Sequence, residues 1–456
     1  MRKSTLTAMA TALALALPVG VASATVSEAE ADRLGRDLMP MGGIRAGNQD
    51  GTIPAWDGGL PAQTDLDVDA GETFGNPYED DQIRFVIDID NYRQFEDQLA
   101  PGQIAMIEAF PDSYRIPVYP TRRSASYPEN VYEWTRRNAV NANLEGTDGL
   151  TGAYMGAPFP IPTRGEHPIW NHKTRYRGEG ARVFYNQAIV TGRGDFSLVR
   201  LLQEILFFYS MEDMDVETLE ANNEHFRFLQ HIVSPARLAG GVLLVHEPLD
   251  QVRESRQAWI YNPGQRRVRR APNVEHDNPG TAADGLRTND QNDIFNGSLE
   301  RYDWELVGLR EMYMPYNSFE LQSFDRTYDE ILDVNHINQD LARYELRRVW
   351  MVDATVREGM RHLYPRRTFY VDEDSWQILH VDVYDNRGQL WRVQEAHNMN
   401  FFVVPAIATV LETVYDLQSR RYLVLGLNNE DPPSDYRWTE SPGYFTPANL
   451  RQRGRR

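Results

Sequence analysis

The stretch from Arg343 to Leu427 limits the possible fold more than any other part of the chain. From Arg343 to Arg357 the even positions read Tyr344, Leu346, Arg348, Trp350, Val352, Ala354 and Val356. The odd positions include Arg343, Glu345, Arg347, Asp353, Thr355 and Arg357. Alternation with period two predicts a strand with one dry face and one mostly wet face. Further strands are expected at about 367–372, 376–384, 389–397, 410–418 and 421–428. Turn signals such as Asp372-Glu373-Asp374-Ser375 and Asp385-Asn386-Arg387-Gly388 separate them. Connections this short force antiparallel neighbours. The expected class is mainly β (α+β), with a late antiparallel meander. Helices of crossover length do not alternate with these strands, which argues against a doubly wound sheet.

Helices are expected early. Ser27 with Glu30 fits a capping box opening a short helix over 26–39, with Leu34 and Leu38 on one face. Residues 25–80 are read as this helix followed by an irregular strap that includes Asn48 to Trp56. Residues 83–120 read as a strand, two short helices and a strand, with Pro101 in the first turn of the second helix. A third helix starts at Ser126-Tyr127-Pro128-Glu129 and runs to about Leu144. The Gly/Pro-rich stretch 145–180 is expected to be a loop packed on the main body through Phe159, Ile161 and Trp170. Leu198 to Phe208 and Leu238 to Val245 are apolar at both alternating sets of positions. Such strands must be covered on both faces, or line a cavity. Trp259-Ile260-Tyr261, Asn262-Pro263-Gly264-Gln265 and Arg266 to Arg270 read as a hairpin with a type II turn. Residues 81–432 are expected to form one domain, and the polar, Arg-rich tail 433–456 to lie along the surface or fray.

Residues 1–24 have the layout of a secretory leader: Arg2 and Lys3, then an apolar run from Leu13 to Val21, then Ala22-Ser23-Ala24 as an A-x-A cleavage site. Thr25 is the expected mature N-terminus. The chain contains no cysteine, so disulfides, thiolate metal sites, a cysteine nucleophile and a lipidated N-terminal cysteine are excluded. The expected location is the periplasm, without lipidation. The formal net charge of −19 argues against a nucleic-acid partner, which would need a basic face.

Within this acidic chain the cluster Arg266, Arg267, Arg269 and Arg270 stands out. Arginine forks grip carboxylates and phosphates, so the cluster is a candidate contact for an anionic ligand or acidic partner. The competing reading is pairing with the chain's own surplus carboxylates. Asp65, Asp67 and Asp69 followed by Gly71 resemble the opening of a calcium loop. The glycine stands at position 7 rather than 6, however, and no glutamate stands at position 12. No histidine pair has metal-ligand spacing, and no G-x-S-x-G, P-loop or G-x-G-x-x-G occurs. No cofactor, metal or catalytic residue is therefore expected, although a carboxylate pair drawn from separate strands would leave no mark in the spacing.

Several longer motifs resemble a known family of secreted proteobacterial proteins, the domain of unknown function 1329, which is similar to outer-membrane lipoprotein-sorting proteins. They are Gly47 to Trp56, Val118-Tyr119-Pro120-Thr121-Arg122, Pro158 to Pro162, Trp170-Asn171-His172, Tyr261 to Pro272, Pro315-Tyr316-Asn317, Arg348-Val349-Trp350 and Asp372 to Trp376. The resemblance implies a curved antiparallel sheet, a half-open barrel of LolA/LolB type, closed by helices over an apolar cavity. It further implies companionship with an RND-type transporter and an outer-membrane protein. The function expected is a carrier or accessory protein for a hydrophobic, lipid-like molecule. Candidate wall residues are Phe207, Leu243, Val245, Trp259, Tyr261, Leu346 and Trp350. The alternatives are a secreted hydrolase of polysaccharide or lipid, and a structural envelope adaptor.

Overall fold

The computed structural model describes residues 26–63, 75–271 and 276–453. The leader and the acidic loop Asp65 to Glu72 lie outside them. The first strands are β1 (Phe85–Ile87), β2 (Ile116–Val118), β3 (Asn143–Glu145) and β4 (Gly149–Thr151). The middle of the chain supplies β5 (Gly180–Phe184), β6 (Asn186–Val190), β7 (Phe196–Phe207), β8 (Glu224–Ser234), β9 (Val242–Pro248), β10 (Gln257–Asn262) and β11 (Arg267–Arg270). The last third supplies β12 (Tyr302–Pro315), β13 (Tyr344–Val356), β14 (Arg366–Asp372), β15 (Ile378–Tyr384), β16 (Leu390–Asn400), β17 (Ile407–Asp416) and β18 (Arg421–Leu427). The helices are α1 (Glu28–Ala31), α2 (Pro101–Ala109), α3 (Glu129–Asn141), α4 (Glu166–Thr174), α5 (Val216–Asn222), α6 (Phe319–Gln322), α7 (Tyr328–Ile331) and α8 (Pro447–Arg453).

Sixteen of these strands join one sheet, in the order β1-β2-β13-β14-β15-β16-β17-β18-β6-β7-β8-β9-β10-β11, with β12 on β13 and β5 on β7. The expected meander is present: β13 to β18 are successive antiparallel neighbours. The pairing of β18 with β6, Val424 opposite Ala188, joins the last strand to the middle of the chain. A single parallel contact, Tyr344 with Val118, makes the sheet mixed. Its ends, β1 and β11, do not pair with each other, so it is an open sheet rather than a closed barrel. β5 and β6 both lie along β7 and are interrupted at Tyr185, whose N–H donates to the Leu201 carbonyl at 2.8 Å.

Local sequence explains the helix starts. Ser27 and Glu30 form the capping box, with the Ser27 N–H donating to Glu30 Oε2 at 2.9 Å, but α1 is only one turn long. α2 begins at Pro101, whose missing N–H costs nothing there. This helix sits directly on the sheet at Gly102. Its N–H donates to Asp382 Oδ1 at 2.8 Å, and a Cβ at that position would lie 2.3 Å from the same oxygen. α4 falls inside the stretch read as loop. All nine of its residues are buried, and the Trp170 indole donates to the Thr147 carbonyl at 2.8 Å. Phe159 is buried beside it, as expected for packing on the main body.

β13 corrects one expectation. Its odd-numbered face is not wet at the N-terminal end, because Glu345 and Arg347 are fully buried there. Arg347 bonds Asp372 at 3.0 Å and Asp374 at 2.7 Å, and its guanidinium lies 3.8 Å from the centre of the Tyr316 ring. Arg123 adds bonds to Asp374 at 2.6 Å and Glu373 at 3.4 Å, and Arg348 bonds Glu373 at 3.1 Å. The strap closes this cluster from above. The Ile44 N–H donates to Glu373, and the Ala46 carbonyl accepts from Arg348. Three of the motifs that carry the family resemblance, those holding Tyr316, Arg348 and Asp372 to Asp374, thus meet at one buried ionic cluster. Burial and the adjacent Asp374 raise the Glu373 carboxyl to about 7; Arg123 and Arg347 override burial at Asp374 and hold it near 2. A period-two pattern cannot separate charges that face water from charges that face each other.

A second ionic group lies under α2. His380 Nε2 is 2.8 Å from Asp382 Oδ1, and Glu395 is on its other side at 3.7 Å. Burial alone would push the ring down, but the two carboxylates override it and raise it to about 9. A folded-state value above the ordinary one contributes stability that is complete below about pH 6.5 and is lost as pH rises through 9. The expected result is a fall of the order of 3 kcal/mol in unfolding free energy between pH 6.5 and 9.5, much reduced in His380→Gln. Denaturant melts across that range check it.

The tail lies along the surface and is anchored there. Residues 434–453 are docked, with Phe445 and Leu450 fully buried. The Tyr444 hydroxyl donates to Glu204 at 2.7 Å, His246 Nε2 is 2.8 Å from the Phe445 carbonyl, and Arg227 donates to the Pro442 carbonyl at 2.9 Å. The tail covers one face of β7–β10, and three aromatic residues, Trp438, Tyr444 and Phe445, with Leu450 supply the apolar contact.

Candidate functional site

The register of β5 and β7–β10 sorts their side chains onto two faces. Ile205 lies opposite Phe228, Phe228 opposite Val245, and Leu243 opposite Ile260. Ala181, Val183, Gln203, Ile205, Phe207, Phe226, Phe228, Leu243 and Val245 therefore share one face. The opposite face carries Leu206, Leu229, Leu244 and Tyr261 and is the one that the tail covers. Both faces are covered over 203–207 and 242–245, as the sequence implied, whereas Leu238 to Gly241 form the turn that precedes β9.

Across from the first face lies the segment 281–296, with the end of α4 and residues 175–177 beside it. Between them runs a groove in three connected spaces of about 80, 40 and 30 Å³, which share Phe207, Phe228, Asn292, Asp293 and Asn296 among their walls. One wall is mostly apolar sheet; the other is polar loop.

The charges on the polar wall are unevenly matched. Arg175 and Arg177 both bond Asp293, each at 2.6 Å. Burial pushes the Arg177 guanidinium down to about 10; the same two arginines override burial at Asp293 and hold its carboxyl well below the usual range. Lys173 donates to the Gly297 carbonyl at 3.0 Å and lies 3.8 Å from Asp148. Arg256 is paired with Glu247. Glu412 accepts from the Tyr185 hydroxyl and from the Ile294 N–H at 3.2 Å, and burial with the neighbouring Asp293 raises it to about 7. Asp293 and Ile294 both hold left-handed backbone, φ 53° and 64°, which is costly for a β-branched residue. The Arg175–Asp293–Arg177 bridge and the Glu412 contact fix that turn.

The structure separates the candidate wall residues. Phe207, Leu243 and Val245 line the groove. Trp259 and Tyr261 do not, because their partners Leu244 and Val242 point to the tail-covered face. Trp259 stacks edge-on against His246 there, with 4.8 Å between ring centres. Leu346 belongs to a different core, around Tyr344 and Met399, and Trp350 is half-buried on β13 between Leu309 and Val371. The alternation of β13 marked a good strand, and nothing in it said which strand lines the groove.

The arginine hairpin is set differently from expectation. The closing pair is Asn262 with Arg267, so Pro263 to Arg266 form a four-residue loop, with Arg266 in the left-handed region at φ 52°. Arg267 and Arg269 project from the groove face of β11, and Arg270 from the other face. All four arginines are exposed, and among the described residues none makes an ion pair. Exposed charges without partners contribute little to stability. Replacing Arg267 and Arg269 by Gln is therefore expected to leave the melting temperature within about 1 °C, which a thermal melt checks.

Sequence reasoning missed Arg175, Arg177, Arg287, Asp293 and Glu412. They come from three separate segments, and no spacing connects them. Among the described residues no group of acidic or histidine side chains is arranged to hold a metal ion. No helix of the described residues is long and apolar enough to cross a membrane.

The family model described as "Protein of unknown function (DUF1329)" matches residues 86–451. An uncharacterized protein of Pseudomonas aeruginosa is 49% identical over 427 residues, which cover 93% of each chain. Among solved structures, a DUF1329 family protein from Desulfovibrio piger is similar at 15% identity and a TM-score of 0.41, covering 60% of this chain and 92% of that one. A putative outer membrane lipoprotein-sorting protein domain from Vibrio parahaemolyticus is similar at 12% identity and a TM-score of 0.42, covering 61% and 94%. The LolA superfamily protein NE2245 from Nitrosomonas europaea follows at 13% and 0.38, covering 62% and 98%.

Proposed function

The chain belongs to the DUF1329 family, and from that starting point we propose that it binds a hydrophobic molecule in the groove between β7–β9 and the 281–296 segment. One observation carries the reading. A wall built from Ile205, Phe207, Phe228, Leu243 and Val245 faces a polar loop where a folded core would put more apolar side chains. Small-molecule sites pair an apolar lining with a few placed polar groups, and occupy roughly 300–1,000 Å³. The spaces here are far smaller, so a ligand enters by displacing the loop. Burial of its surface then supplies affinity at about 25 cal/mol per Å², before the costs of association.

The leader-like residues 1–24 support a periplasmic site of action for this carrier. An RND-type transporter and an outer-membrane protein follow from the family resemblance as handover partners. We assign Arg266, Arg267, Arg269 and Arg270 to contact with an acidic partner, since they are exposed and make no ion pair among the described residues. Native mass spectrometry of the protein taken from its own cell envelope tests the proposal. A stoichiometric adduct in the mass range of a lipid is the expected result; protein that is free of any adduct in every preparation contradicts it.

A further inference from the structure

Arg287 is the unmatched charge of the groove. It is 8% exposed and lines the space bounded by Phe228, Leu243 and Val245. Among the described residues its guanidinium makes no ion pair and no hydrogen bond, and its Nε is buried without a partner. Every other cation of the groove has a carboxylate beside it: Arg175 and Arg177 have Asp293, Arg256 has Glu247, and Lys173 has Asp148. The carboxylate whose field Arg287 feels most is Glu412, and that group accepts from Tyr185 and Ile294 instead. The fold is shaped around the arginine. Gly280 lies against it so closely that a Cβ would sit 2.9 Å from Arg287 Cγ and 3.0 Å from its Cζ.

A buried cation without a partner is costly, and a chain of net charge −19 has carboxylates to spare. The site that leaves Arg287 unpaired also sets it at the end of an apolar wall. We infer that the groove takes an amphiphile with a single anionic head group, the acid held by the Arg287 fork and the tail laid along Phe228, Leu243, Val245 and Phe207. This inference rests on the hydrophobic-ligand reading and adds the chemistry of the head. A planar guanidinium donates to a carboxylate or a phosphate oxygen pair alike, so the shared feature is the anionic head. With Arg175 and Arg177 sharing a single carboxylate, the groove as a whole is electropositive and suits the same ligand.

The test uses cis-parinaric acid and its methyl ester, two fluorescent probes with the same tail. The full mature protein should bind the acid at least tenfold more tightly than the ester. Arg287→Gln should lose that preference by weakening the acid alone, with ester affinity within twofold and a melting temperature no lower than that of the parent. Arg287→Lys, which keeps the charge, should keep part of the preference. Millimolar inorganic phosphate should leave the affinity for the acid within twofold. Equal binding of acid and ester by the parent protein overturns the anionic-head inference and leaves the hydrophobic reading standing. Failure of both probes to bind overturns both. Displacement of the acid by phosphate identifies a small-anion site and overturns the amphiphile. If Arg287→Gln does not fold, the comparison of acid with ester on the parent protein still decides.

Discussion

Replacing Arg347 by Ala is expected to cost about 3–5 kcal/mol, a large fraction of the stability of an ordinary folded domain. The guanidinium bonds Asp372 and Asp374 at 3.0 and 2.7 Å, with Glu345 at 3.7 Å, and all four side chains are essentially inaccessible. Its removal leaves three carboxylates buried with too few donors. The change also removes the cation from the face of Tyr316, 3.8 Å from the ring centre. Part of the lost stability should return at low pH, where protonation removes the buried like charges. A denaturant melt at pH 7 and pH 5 checks both statements. A cost near zero at pH 7 would mean that the strap and β13–β14 do not depend on the cluster. Arg347→Met is the sharper control, because it fills the space and still strands the carboxylates.

The second large effect is expected at Asp293. Asp293→Ala leaves Arg175 and Arg177 facing each other without their shared carboxylate, a loss of about 3–5 kcal/mol in the stability of that turn. The cost falls on the 276–300 segment more than on the meander, so hydrogen exchange should speed up there first. Asp293 is held well below the usual carboxylate range, so its contribution is present above about pH 4 and is lost as pH falls through the folded value. The variant should also open the groove. Binding of an apolar probe is expected to become faster, because the loop that must be displaced is no longer pinned. Unchanged exchange in 276–300 would show that Ile294 and Glu412 hold the turn unaided.

The meander was legible because β13–β18 follow one another with short turns, so local pattern and topology coincide. The pairing of β18 with β6, which joins residues more than 200 positions apart, left no trace in either strand. Phe207, Leu243 and Val245 could be chosen from strands that were dry on both faces. Trp259 and Tyr261 could not be told from them, because face depends on register, and the register followed from a four-residue loop rather than the Pro-Gly pair. α4 was hidden by the prolines and glycines before it, although Pro168 sits in its first turn, where the helix tolerates it. The polar half of the groove was not legible at all. Arg175, Arg287, Asp293 and Glu412 meet only in three dimensions, and each read alone is an ordinary surface charge.

Photolabelling tests most directly the claim that the groove holds an apolar ligand. A long-chain fatty acid bearing a diazirine on its tail would be bound to the full protein, activated and mapped by peptide mass spectrometry. The account expects labels concentrated on the peptides that carry Gln203 to Phe207, Phe226 to Gln230 and Leu243 to Glu247, suppressed by excess unlabelled acid. Labels confined to other strands, or label that excess acid does not suppress, would contradict it.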